Sequence, residues 1–200
     1  HCIDVRNKNQ LLECMVNASL NKEREYNFNF KPAEQKKRVM VVGGGPSGLE
    51  TARVAAQRGH EVSLFEKNRL GGLVPTAAMV KDVERDGFLD LVEYFKKQMI
   101  KEGVAVRRGK NVTAKDIAAF KPDVLVLAAG AAPGKLDIPG SDRKNVINSS
   151  QLHKQLRPFM KLFGVKMLQR LTKIWMPVGK RVVIIGGSIM GCETAEFLIK

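Results

Sequence analysis

Apolar residues along this chain follow two rhythms. Short unbroken runs, RVMVVG at 38–43, EVSLFE at 61–66 and DVLVLAAG at 123–130, are bounded by turn residues and predict buried strands. VAVRR at 104–108 predicts a further strand. Between the first two runs, Leu49, Ala52, Ala55 and Ala56 recur at helical spacing, predicting a helix from Pro46 to about Gly59, a natural C-terminal stop. Leu89, Val92, Phe95, Met99 and Ile100 share one face of a longer helix. Strand, tight turn, helix and strand within about thirty residues make a βαβ unit. The alternation predicts an α/β fold: Rossmann-like, with a mostly parallel, helix-covered sheet.

One internal repeat shapes the domain organisation. Residues 37–52, KRVMVVGGGPSGLETA, align without gaps on residues 180–195, KRVVIIGGSIMGCETA, with nine of sixteen positions identical. Two copies of one nucleotide-binding device are expected, the second domain only begun. His1 in place of Met, and an apolar helix-like run, ETAEFLIK, reaching position 200 with no stop signal, suggest a piece of a longer protein.

The first copy holds Gly43, Gly45 and Gly48 in the spacing G-x-G-x-x-G, between a strand and a helix opened by Pro46 and Ser47. Gly43 permits the tight turn, Gly45 lets a pyrophosphate approach the backbone, and Gly48 lets the helix pack close to the strand. Glu66 ends the next strand, where a carboxylate can accept from ribose hydroxyls. The second copy has Gly186, Gly187 and Gly191, but Ser188 replaces the middle glycine and Met190 follows in the helix. The Ser188 side chain stands where a pyrophosphate passes closest.

Composition narrows the class. Hydrophobic residues at 44% and charged residues at 27% exclude bulk disorder. No apolar run reaches the roughly 20 residues of a membrane span, so no integral membrane segment is expected. Three cysteines cannot build a disulfide scaffold and point to a cytoplasmic setting. The net charge of +14 raises nucleic acid as a partner. With aromatics at 6% and no recognisable RNA or DNA motif, a basic nucleic-acid-binding module is the alternative from another class, and no nucleic acid is expected.

The strings VVGGGPSGLETA, FEKNRLGG, PDVLVLAAGAAP and VVIIGG with GCETAEFL resemble the paired FAD and NAD(P)H domains of flavoprotein reductases. Cys2 and Cys14, the latter opening Cys-Met-Val-Asn, resemble the end of a four-cysteine iron–sulfur segment. Together these resemble the 2,4-dienoyl-CoA reductase and 2-enoate reductase family, with trimethylamine dehydrogenase as a variant. The resemblance implies that Glu66 lies at the adenosine ribose of FAD, that Lys67 beside it also contacts the cofactor, and that Gly71 and Gly72 lie near its phosphates. Val112 would lie at the adenine, and Ala128, Ala129 and Gly130 would form a second FAD contact, with Ala129 replacing the usual Thr. It implies NAD(P)H on the second copy, and Cys2 and Cys14 as two of four thiolates of a 4Fe-4S cluster. Electrons would pass from NAD(P)H through FAD and that cluster to FMN in a TIM barrel outside this chain, where a small-molecule substrate binds. In the trimethylamine dehydrogenase variant, the second copy need not bind a nicotinamide. No catalytic residue is nominated here, Cys192 is expected to be a small packing residue, and homo-oligomerisation is possible for such an enzyme.

The expected segments are then 1–36, the end of the iron–sulfur region and a charged linker; 37–150, the first part of the FAD domain; 151–179; and 180–200, the start of the NAD(P)H domain. Within 151–180 the bases Lys154, Arg157, Lys161, Lys166, Arg170, Lys173 and Lys180 stand with no acid. Leu152, Leu156, Phe159, Leu162, Phe163, Met167, Leu171 and Ile174 give this segment an approximate apolar stripe. It reads as an interdomain element whose apolar face packs on the flavoprotein, rather than a membrane-surface helix, with Pro158 and Gly164 breaking it into pieces.

Overall fold

The computed structural model describes all residues except 1–7, 9, 10, 13, 15, 26–29, 81–84, 133, 135, 136, 173, 175–177 and 200. The chain divides into two compact units: residues 1–72 with 91–129, and residues 73–90 with 130–200.

The first unit is a four-stranded sheet built from β1 (Arg38–Val42), β2 (Glu61–Glu66), β3 (Ala105–Arg108) and β4 (Val124–Leu127). The order is β3-β2-β1-β4 and every pairing is parallel, with Val39 opposite both Val62 and Val124. Helix α1 (Pro46–Gln57) crosses from β1 to β2. Its Leu49 and Ala52 are fully buried among Val39, Val41, Val62 and Leu64, with Ala55 and Ala56 packed alongside. Small residues on this stripe let helix and strands approach closely, and burying Leu49 alone contributes roughly 1.5–3 kcal/mol. The helix ends where Gly59 takes φ of +90 and donates to the Ala56 carbonyl at 2.8 Å.

One helix shows where sequence periodicity misplaced a residue. Over α3 (Arg85–Lys101), which follows α2 (Val74–Val80), Val92, Phe95 and Met99 are buried, whereas Ile100 is 82% exposed. One residue beyond Met99 is a rotation of about 100°, enough to carry Ile100 off the stripe. Strand β4 departs in a similar way from the doubly buried strand expected. Val124 and Val126 pack on the core, but Leu125 and Leu127 are exposed, because β4 is an edge strand with one covered face.

Helix α4 (Ala114–Phe120) carries a capping box in which the Thr113 side chain accepts from the Asp116 N–H and Asp116 accepts from the Thr113 N–H at 2.8 Å. The Lys110 ammonium, 2.7 Å away, and then Thr113 hold the Asp116 carboxyl at about 2, so the box stays charged in all but strong acid.

Among its described residues, the regular elements of the second unit are helices. Helix α5 (Ser149–Thr172) buries Leu156 and Leu168 with Met79 of α2, and Leu152, Met160 and Phe197 pack around them. Gly164, at φ 72 and ψ 171, breaks the helix as expected. Pro158 does not break it: the helix runs through it with its ring exposed, the flanking Leu156 and Met160 packing into the cluster and offsetting a cost of about 3 kcal/mol. The apolar stripe is only partly covered, since Leu162 and Ile174 are 77% and 87% exposed. No helix among the described residues is long and apolar enough to cross a membrane.

The last helix, α6 (Ile189–Ile199), forms as the repeat predicts. The preceding RVVIIG does not form a strand, and Val183 is 88% exposed. A strand needs a ladder, and this stretch pairs with no described strand.

Candidate functional site

The C-terminal ends of β1 and β2 carry the glycine loop, and hydrogen bonds between them fix its path. Gly43, at φ +115, donates to the Phe65 carbonyl at 2.8 Å. Gly44 donates to Glu66 Oε2 at 2.7 Å, and Asn68 donates to Glu66 Oε1 at 2.6 Å. The buried Glu66 carboxylate therefore ties the first loop to the turn after β2. Gly71 closes the ring by donating to the Gly44 carbonyl at 2.7 Å.

The three motif glycines have different reasons for being glycine. A β-carbon on Gly48 would collide with the Gly43 carbonyl oxygen and stand 3.3 Å from the Ala128 β-carbon. One on Gly43 would collide with the Ala128 carbonyl. Gly45 is different: its φ is −76, and a β-carbon there would meet only the Gly72 Cα, at 3.9 Å. Nothing in the protein's own packing demands glycine at 45, so the space before it is free for something else.

That space lies at the start of α1. Gly45 is the N-cap, no side chain caps the helix, and Pro46 occupies the first turn. The first-turn N–H groups of Ser47 and Gly48 have no carbonyl within the helix to bond, and the helix dipole adds a partial positive charge. The Gly45 and Gly72 backbones face one another, Gly72 at φ +58, so the cradle is walled by main chain. A dinucleotide pyrophosphate fits this arrangement: it is anionic, wide and best held by bare N–H groups.

The structure brings together Gly43, Gly45, Pro46, Gly48, Glu66, Gly71 and Gly72, with Ala128 and Ala129 beside Gly43. Lys67 is exposed at the end of β2, Val112 is half-buried in the loop before α4, and Gly130 is exposed at φ +83. Sequence reasoning missed Gly44 and Asn68. A β-carbon on Gly44 would press into Leu70 at 2.7 Å and Glu66 at 3.0 Å, so the variable position of the motif is itself restricted here. The unbroken Gly43-Gly44-Gly45 run was the available signal.

The second copy repeats the local geometry. Gly186 has φ of +113, and a β-carbon on Gly191 would collide with the Gly186 carbonyl oxygen. Cys192 donates to the Ser188 carbonyl at 3.0 Å, as Leu49 does to Gly45 at 2.9 Å. Gly187, Ser188 and Met190 are all exposed. Cys192 is exposed as well, not the packed residue expected: α6 buries none of its described residues, and the thiol lies 3.6 Å from the Gly187 carbonyl.

Cys14 is a free thiol whose sulfur accepts the Val16 N–H at 3.4 Å. Backbone donation from Asn17 and then Val16 lowers its pKa, favouring the thiolate that binds metals. Cys2 lies outside the described residues, and among those described no three potential metal ligands cluster.

A family model described as pyridine nucleotide-disulphide oxidoreductase matches residues 37–200. The chain is 36% identical over 193 residues to an NADH oxidase of Thermoanaerobacter brockii, covering 96% of this chain and 27% of that protein. It is 36% identical over 189 residues to a cinnamate reductase of Clostridium sporogenes, covering 94% of this chain and 24% of that protein. The solved structure of a 2-naphthoyl-CoA reductase with 2-naphthoyl-CoA superposes with a TM-score of 0.75 at 34% identity, covering 96% of this chain and 26% of that one. The chain spans about a quarter of the length of the relatives it matches.

Proposed function

Because the chain belongs to the pyridine nucleotide-disulphide oxidoreductase family, a family of flavin- and nicotinamide-dependent enzymes, we propose that it is the electron-input part of a 2-enoate-reductase-like enzyme. FAD sits on the first glycine copy and NAD(P)H on the second. The observation that carries this reading is the main-chain cradle formed by Gly45, Gly72 and the uncapped start of α1, above a loop locked by Glu66.

When bound, FAD supplies acceptance of a hydride and release of electrons one at a time. The protein's part is to hold and orient it. First-turn N–H groups of α1 face the pyrophosphate, and Gly43 and Gly48 keep that helix close to β1. Glu66 offers the ribose its remaining lone pairs, since each oxygen already accepts one N–H and a carboxylate oxygen has room for another. In the whole protein, Cys2 and Cys14 would supply two of the four thiolates of a 4Fe-4S cluster, a group that would carry single electrons toward FMN beside the substrate, an activated alkene.

Two variants test the parts separately. A charged acceptor bonded to a hydroxyl is worth about 1.5–3 kcal/mol, so Glu66→Ala is expected to raise the FAD dissociation constant roughly ten- to a hundred-fold. Titration of the deflavinated protein measures it, and an unchanged constant would leave the carboxylate a loop-bracing role only. Cys14→Ala in the intact protein is expected to abolish cluster iron and its visible absorbance while FAD stays bound, since the glycine loop is a separate device. Cys192→Ala should change neither. Full iron in Cys14→Ala would remove the cluster from the proposal.

A further inference from the structure

The two glycine copies share their backbone but not their middle residue, and the difference falls at the one place the fold leaves open. Gly43 and Gly186 have φ of +115 and +113. Gly48 and Gly191 each stand on the carbonyl of the first glycine of their loop. Leu49 and Cys192 each donate to the middle residue's carbonyl, at 2.9 and 3.0 Å. With both ends of the loop matched, the Ser188 β-carbon projects into the space that Gly45 keeps clear. A pyrophosphate at the start of α6 then meets a methylene and hydroxyl where one at α1 meets bare backbone.

Resting on the reading of the second copy as the nicotinamide site, we propose that Ser188 sets the affinity of that site, loosening its hold on the pyrophosphate. The chemistry of the two ligands fits this division. FAD is a resident group and gains from the closest main-chain contact. A nicotinamide dinucleotide is a co-substrate that must leave oxidised and be replaced in every turnover. A tight grip shared equally by bound states would only slow its exchange. Ser188 displaces the pyrophosphate from the first-turn N–H groups by roughly the width of a methylene, which lengthens the hydrogen bonds without removing the glycines that shape the loop.

The test is a calorimetric titration of the intact, flavin-loaded protein with NAD+ and separately with NADP+, so that no turnover intervenes. Ser188→Gly is expected to tighten the dissociation constant of the preferred nucleotide about tenfold, equivalent to about 1.4 kcal/mol. Ser188→Ala should bind like the unaltered protein, because it keeps the β-carbon. If Ser188→Gly binds no more tightly, the β-carbon does not loosen the site, and if Ser188→Ala binds more weakly, the hydroxyl is a phosphate ligand; either result overturns the proposal. If neither nucleotide binds to the unaltered protein or to either variant, the second copy is not a nicotinamide site, and both the functional reading and this inference fall together.

Discussion

Gly45→Val is expected to yield folded protein that purifies without flavin. The backbone at this position, φ −76 and ψ 177, is extended and suits a β-branched residue. Its new β-carbon would meet only the Gly72 Cα, at ordinary contact distance. The protein's own packing therefore tolerates the change. A bound pyrophosphate does not, because the side chain fills the cradle at the start of α1 and holds the phosphates away from the N–H groups. Retention of each charge-assisted hydrogen bond is worth about 1.5–3 kcal/mol, so losing two lowers flavin affinity by roughly a hundred-fold or more. Gly87→Ala is the control, since Gly87 has ordinary φ and open space around its β-carbon position. Flavin absorbance per polypeptide reads the result, and equal occupancy in the two variants would sink the assignment of the cradle.

Gly48→Ala should do the opposite and damage the fold before it touches any ligand. Its methyl group would occupy the place of the Gly43 carbonyl oxygen, so α1 must lift away from β1. Overpacking costs about 1–3 kcal/mol, and any loosening of the fully buried Leu49 and Ala52 adds to it. Against a total stability of about 5–15 kcal/mol, a loss of about 3 kcal/mol or more is a large share. Denaturant unfolding of the deflavinated protein measures it, with Gly45→Ala as the comparison. A loss below about 1 kcal/mol for Gly48→Ala would show that the helix has slack the structure does not display.

The contrast between these glycines marks how far the sequence could be read. The G-x-G-x-x-G spacing announced the loop, its strand and its helix, because each glycine answers a local demand of backbone or ligand. The structural parts of Gly43 and Gly48 were legible as well, but what walls the loop at Gly43 was not. That depends on Ala128, which reaches Gly43 only through the pairing of β1 with β4. The same limit explains Leu125 and Leu127: an apolar run marks a strand, but whether one face or both are covered is decided by its place in the sheet order. Asn68 was missed because its role is carried by an N–H group, which every residue except proline possesses and no residue type advertises, whereas Gly44 was signalled by the unbroken glycine run. The repeat at 180–195 announced its turn and helix, which are local, but not the state of RVVIIG, which depends on a partner strand.

The edge pairing of β4 has a consequence for how the protein is made. Arg38, at the head of β1, donates to the Asp123 carboxylate 85 residues further along, at 2.7 Å, and Val39 pairs with Val124 immediately after. A ribosome adding about 5–20 residues per second needs roughly 4–17 s to cover that stretch. During that interval β1 and β2 can already pair and α1 can already form, but the Ala128 wall beside Gly43 has not yet been synthesised. The nascent glycine loop is thus left open on one flank for seconds, and it gains its wall at Gly43 only when β4 emerges.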